Sequence, residues 1–196
     1  MERFFEFDYK LSEYFAKIGS NGICKKLNFE ILCLLLEWIM HGITWIFGLF
    51  ILIIYSYLNN WNYLKNNFLN LLIIAILFDM SLVEIDLNII KERIFLGAPI
   101  IDDFSFPSGH TSRTTMINII IIFVKSSNEL FPSNKYFNFI LIIFTLILAF
   151  SRVLSGRHFI SDVIGGILLG FFEALIIILM EERLKNNYIN YLFKYI

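Results

Sequence analysis

Two short stretches of this chain carry side chains able to do chemistry. Phe106-Pro107-Ser108-Gly109-His110, and then Ser151-Arg152 with Gly156-Arg157-His158 and Asp162, bring together two histidines, a carboxylate, cations and a helix-opening Ser-Gly turn. That inventory suits the capture and cleavage of a phosphate ester. His158 and Asp162 are spaced by about one helical turn, so the carboxylate is expected to accept from one ring nitrogen and fix the tautomer that bares the other. His158 is therefore the candidate nucleophile, passing through a phosphohistidine. His110 is the candidate acid and base, because an unperturbed imidazole titrates near neutrality. Ser108 and Gly109 precede a helix whose free amides and dipole favour an anion. Arg152 and Lys91 would add fixed positive charge at the phosphoryl oxygens, which is most of what phosphoryl transfer asks of a protein.

The elements that must position these groups read as membrane. Over 196 residues, 58% are hydrophobic and 17% charged, with a mean hydropathy of +0.70. This is too apolar for a soluble domain. A net charge of -1 supplies no basic field for nucleic acid. Cys24 and Cys33 are too few for a disulfide framework or a zinc site, and read as small buried hydrophobes. We expect an all-α polytopic bundle with about five transmembrane helices, near residues 31–58, 68–90, 110–124, 136–154 and 162–180. The first is overlong and must tilt or start later. The segment 1–28 lacks the apolar core of a signal peptide. Its Phe4, Phe7, Leu11, Tyr14, Phe15 and Ile18 recur at helical spacing, as in an amphipathic helix lying in the interface. Residues 29–182 then form one membrane domain, and 183–196 a short tail. Counting helices brings the loops after the second and fourth spans to one membrane face, so the candidate residues meet there with the amino-terminal segment.

In order and spacing, Lys91, Pro107-Ser108-Gly109-His110 and Ser151-Arg152 with His158 and Asp162 resemble the type 2 phosphatidic acid phosphatases, a superfamily of lipid phosphate phosphatases. The second and third motifs of that family are intact. The runs from Trp38 to Trp45, from Ser105 to Arg113 and from Ser151 to His158 look like the polyisoprenoid, or presqualene, diphosphate phosphatases. The resemblance implies a lipid phosphate or isoprenoid diphosphate substrate and hydrolysis through a phosphohistidine, with no metal or other cofactor and with the membrane bilayer as a partner. It further implies catalytic roles for His158, His110 and Asp162 and phosphate contacts from Lys91, Ser108, Gly109 and Arg152. For location, an integral protein of the endoplasmic reticulum or nuclear envelope is the expectation.

One family feature is missing. After the six residues that follow Lys91 the family has Arg before Pro, whereas here Ala98 precedes Pro99. A bidentate guanidinium contact to phosphate is worth about 1.5 to 3 kcal/mol, so its loss should cost about ten- to a hundredfold unless Arg93 or Arg157 fills in. Arg113, one turn beyond His110, would either reach phosphate or pair with an acid. The departure leaves an alternative class, a catalytically weak relative serving as membrane scaffold or lipid binder. Asp79, Glu84 and Asp86 in or near the second span, and Glu37 and Glu173, are carboxylates in apolar surroundings and so of functional interest. His41 reads as packing, and Asp102-Asp103 as a solvated loop.

Overall fold

The first apolar run is too long for one straight span, and it absorbs the excess by breaking at His41. In a computed structural model that describes residues 2–20, 29–60, 63–87, 106–127 and 134–193, helix α2 (Phe29–Met40) and helix α3 (Gly42–Leu58) meet at 53°. His41 is extended between them, and its side chain accepts from the Ile43 amide at 3.3 Å, capping α3 as a hydroxyl or carboxylate commonly does. The other described elements are α1 (Glu2–Ser20), α4 (Tyr63–Leu87), α5 (Gly109–Ser127), α6 (Lys135–Leu154) and α7 (Ile160–Phe193). These seven helices form an α-helical membrane bundle. Residues expected to be a short tail instead continue α7 to Phe193.

Among the described residues, two helices are long and apolar enough to cross a membrane unaided, Tyr136–Leu154 and Ile160–Arg183, and the bent pair makes a third. A shorter apolar stretch, Phe68–Leu82, lies in α4, and α5 is the least apolar of the expected spans. The physical reason lies in its surroundings. Every residue from 111 to 118 is buried, including Thr111, Ser112, Arg113, Thr114, Thr115 and Asn118, so α5 is wrapped by protein rather than lipid and can be polar provided each group finds a partner. Ser112 Oγ donates to Glu173 at 2.8 Å, while Asn118 Nδ2 donates to the Leu141 carbonyl at 3.0 Å and to Thr145 at 2.8 Å.

Close approach of α5 to α7 depends on glycine. A Cβ on Gly166 would stand 2.6 Å from the Ser108 carbonyl oxygen, and one on Gly170 would stand 2.2 Å from that of Ser112. Below this contact, Leu72 and Ile76 of α4, Met116 and Ile120 of α5 and Ala174 and Ile177 of α7 join in one apolar core. The outer faces are apolar as well. Phe50 and Ile51 of α3, Phe139 and Ile140 of α6 and Leu168 and Phe172 of α7 are all exposed, which in water would be a liability and in a bilayer is the required surface.

Helix α1 presents two faces. Phe7, Tyr14 and Ile18 point outward, while Asp8, Ser12 and Ala16 are buried against α6 and α7. Of the apolar residues that recur along α1, Phe7, Tyr14 and Ile18 stay exposed while Phe15 packs on Phe150, and the Asp8–Ser12–Ala16 face docks on protein. Docking is tight at its end, where a Cβ on Gly19 would collide with the Leu154 carbonyl.

Candidate active site

The spacing of the Ser151–Asp162 motif is the geometry of a helix end. Helix α6 stops at Leu154 with Ser155 as its C-cap. Gly156 takes the left-handed conformation, φ 69°, which only glycine adopts without strain. Its amide donates to the Val153 carbonyl at 3.0 Å, and the Arg157 amide to that of Arg152 at 3.2 Å, the paired bonds of a Schellman turn. The His158 amide also reaches the Arg152 carbonyl, at 3.3 Å. The turn therefore folds His158 back over the helix end that carries Arg152. The fixed interval between arginine and histidine is the length of chain needed for that reversal.

His158 precedes α7 rather than lying within it, so the expected one-turn stacking with Asp162 is replaced by a different arrangement. His158 Nδ1 stands 3.9 Å from Asp162 Oδ2. The same oxygen accepts from the Phe159 amide at 2.9 Å, the backward half of a capping box, in which an acidic side chain at the third helical position reaches the amide preceding the helix. Asp162 thus faces His158 and also ties the entry of α7. Catalytic contacts of this kind are often long before substrate is bound.

The Pro-Ser-Gly-His stretch is brought to the same place. The peptide between Phe106 and Pro107 is cis, and the Ser108 amide donates to the Asp162 carbonyl at 3.0 Å, pinning the start of α5 to the first turn of α7. Ser108 is fully buried, with its hydroxyl 3.0 Å from that of Thr111. His110 follows in the first turn of α5. Its Nε2 is buried and has no hydrogen-bond partner, and Arg152, Arg113, His158 and His41 all stand close enough to act on the ring electrostatically. Its ring centroid lies 5.9 Å from that of His41, tilted by 61°.

Two arginines converge on one carboxylate. Arg152 Nη1 and Arg157 Nη1 each lie 3.0 Å from a different oxygen of Glu37, so both guanidiniums of the motif are gathered by a residue on α2. Beside them a cavity of about 290 Å³ opens between α1, α2 and α6, lined by Gly19, Cys33, Glu37, Ser155 and Arg157 among others. Arg113 turns the other way. Its Nη2 pairs with Asp79 Oδ2 at 2.5 Å and its Nη1 donates to the Met40 carbonyl at 2.9 Å, where the broken helix leaves that oxygen available. The acid-pairing alternative for Arg113 is the one observed, and it latches α4 and the α2–α3 break to α5.

His110, Ser108, Gly109, Arg152, Arg157, His158 and Asp162 are thus brought together at one end of the bundle. Lys91, Arg93, Ala98, Asp102 and Asp103 lie outside the described residues, as do the side chains of Glu84 and Asp86 and the whole of Cys24. Cys33 is buried, and its thiol donates to the Ser151 carbonyl at 3.8 Å. No group of three or more His, Cys, Asp or Glu side chains suited to a metal occurs among the described residues. Glu173 is taken up by Ser112. Glu37 carried only the signal of an acid in an apolar helix, and its two partners are more than a hundred positions away.

A family model described as the PAP2 superfamily matches residues 87–185, half of the chain. The chain belongs to the PAP2 superfamily. Every candidate residue of the two intact motifs, and Lys91 as well, falls inside that match. This PAP2 chain is 32% identical over 93 residues to phosphatidylglycerophosphatase B of Bacillus subtilis, covering 45% of the chain and 46% of that protein. It is 29% identical over 93 residues to a probable lipid phosphate phosphatase beta of Arabidopsis thaliana, covering 38% and 44%. It is also 29% identical over 83 residues to the undecaprenyl-diphosphatase BcrC of Bacillus subtilis, covering 42% and 38%. The matches span less than half the length of each of these curated relatives. Among solved structures, the crystal structure of Aquifex aeolicus LpxE superposes with a TM-score of 0.59 at 19% identity, covering 86% of this chain and 93% of that one. The two share the fold.

Proposed function

We propose that this chain is a membrane phosphatase that hydrolyses a lipid phosphate through a phosphohistidine on His158, without a metal, and that a polyisoprenoid diphosphate is its leading substrate. One observation carries the reading. The Nε2 of His110 is buried and has no hydrogen-bond partner, and Arg152, Arg113, His158 and His41 all act on its ring electrostatically. A buried polar atom left unpaired costs free energy until something completes it, and surrounding cations favour an anion as that something.

The chemistry then balances over two steps. In the first, His158 Nε2 attacks phosphorus; the P–N bond forms, the P–O bond to the lipid portion breaks, and His110 gives its proton to the departing oxygen. In the second, water attacks the phosphohistidine, its proton passes to His110, and the P–N bond breaks to release phosphate. Asp162 keeps the His158 ring oriented and balances the charge it acquires. Arg152, Lys91 and the free amides at the start of α5 hold the nonbridging oxygens, where charge is largest in transit. Arg157, gathered beside Arg152 by Glu37, supplies the cation that Ala98 lacks.

The preference for a diphosphate over phosphatidate, lysophosphatidate or a sphingoid phosphate rests on the runs around Trp38 and His110 that resemble isoprenoid diphosphate phosphatases. Among the relatives, one is named for an undecaprenyl diphosphate and another for a phosphatidylglycerophosphate, so both substrate classes enter the test. Purified protein is offered farnesyl diphosphate, presqualene diphosphate and phosphatidate in the presence of EDTA, with His158→Ala as the control. Release that survives EDTA and vanishes in the variant supports the enzyme. Silence on every substrate, unrelieved by Ala98→Arg, leaves the scaffold reading in its place. An endoplasmic-reticulum or nuclear-envelope location is a separate proposal, tested by imaging a fluorescent fusion.

A further inference from the structure

Helix α7 begins without a cap of its own. The residue before its first turn is Phe159, whose side chain has no acceptor, so only the backward half of the capping box exists, made by Asp162 to the Phe159 amide. The forward half must satisfy the next amides, which otherwise remain orphaned at a helix start. It comes from the other end of the chain. Ser12 Oγ accepts from the Ile160 amide at 3.0 Å, and Asp8 accepts from the Ser161 amide at 3.2 Å and from the Ser161 hydroxyl at 2.5 Å. Both side chains are buried, Ser12 completely, and Ser12 also donates to Asp8 at 3.4 Å. Packing locks the same contact. Tyr9 lies against Phe159 with ring centroids 6.2 Å apart, and Phe15 meets Phe150 edge-on at 5.3 Å.

We propose that Asp8 and Ser12 are positioning residues of the catalytic site: by capping α7 from a separate helix, they hold Asp162 where it can orient His158. The inference rests on the phosphohistidine reading above. Its physical content is that one carboxylate performs two tasks, and fraying the first turn of α7 would let Asp162 follow the Phe159 amide away from the imidazole. Because the opposite face of α1 is aromatic and exposed, the clamp is itself seated against the bilayer interface, continuous with the lipid-facing surface of α6 through Phe150. An amino-terminal helix that looks like a simple anchor thus takes part in the chemistry.

The test compares wild type, Asp8→Ala/Ser12→Ala, Asp8→Asn and His158→Ala, each purified in detergent and reconstituted into phosphatidylcholine vesicles, with thermal melting as a check on folding. Two quantities are read: steady-state kinetics on farnesyl diphosphate, and amide hydrogen exchange across residues 160–163. The double variant should exchange about tenfold faster there, as expected for two lost caps, and lose about ten- to a hundredfold in kcat with KM within about threefold. Asp8→Asn, which still accepts hydrogen bonds, should recover most of both. Unchanged exchange overturns the cap even if no substrate is turned over. Faster exchange with kcat unaltered, while His158→Ala is dead, overturns the positioning role and leaves the phosphatase reading intact. A dead wild type with faster exchange in the double variant refutes that reading and with it the positioning role.

Discussion

The two parts of this chain contribute to the site in opposite ways. Residues 87–185, the part matched by the family, supply every group assigned to chemistry, and they do so through local devices: a Schellman turn that folds His158 over Arg152, a Ser-Gly helix start and glycines that let α5 and α7 touch. The part before it supplies none of the reacting groups. It contributes through contacts between residues far apart in sequence, with Glu37 gathering two arginines, Asp79 and the Met40 carbonyl holding Arg113, and Asp8 and Ser12 capping α7. Reactivity is encoded nearby in the chain, whereas alignment is supplied from a distance.

That division is broken most directly by removing chemistry from the later part. His158→Ala should lower phosphate release by at least about a thousandfold while leaving the melting temperature close to wild type, because the Schellman turn is made by backbone atoms. Turnover that persists near wild type would show that the reacting group lies elsewhere. The latch between the parts comes next. Asp79 and Arg113 are both buried, with side-chain exposures of 0% and 7%, and removal of one member of such a pair costs about 3 to 5 kcal/mol because the other is left charged and uncompensated. Asp79→Ala should therefore melt well below wild type, and adding Arg113→Met should restore part of the loss, as read by thermal unfolding in detergent. Equal melting of single and double variants would show the pair to be incidental.

The same contrast explains what could be read without a structure. The helices near 136–154 and 162–180 were legible, as was the gathering of the Ser108–His110 and Arg152–Asp162 stretches at one end of the bundle, since residue type, spacing and apolar length are local properties. The polarity of α5 was not. Hydropathy treats Thr111 to Asn118 as a weak membrane segment, whereas the helix is polar because it is enclosed by its neighbours. The break at His41 was hidden for a related reason, as an overlong apolar run does not say where it bends. Asp8 and Ser12 were not legible because the aromatic stripe of α1 is its dominant pattern; their i, i+4 spacing on the opposite face was the available signal, and only a partner helix gives it meaning.

Glu37 sharpens the comparison because its effect has two signs. The carboxylate holds Arg152 and Arg157 in place, yet it also occupies the guanidiniums proposed to hold phosphate. Glu37→Gln should lower kcat by about tenfold, or about 1.4 kcal/mol, as the arginines lose their registration, while KM and the inhibition constant for inorganic phosphate both fall because two cations are released. Parallel increases in KM and the phosphate inhibition constant would mean instead that Glu37 assists binding directly.

The smallest effect concerns the missing arginine. If Arg157 substitutes for the family residue absent at Ala98, the two cations serve one function and their contributions cannot be additive. Ala98→Arg in the wild-type background should then raise kcat/KM only modestly, by about threefold. In an Arg157→Gln background, itself weakened by about tenfold as expected for the loss of one charged hydrogen bond to phosphate, the same change should restore about tenfold. A complete cycle of four proteins, assayed on farnesyl diphosphate, reads the coupling directly. Equal gains in both backgrounds would make the two positions independent and assign Arg157 to holding Glu37 alone; a larger gain without Arg157 means that the chain replaced a lost phosphate ligand with one already present in the turn that carries His158, the proposed nucleophile.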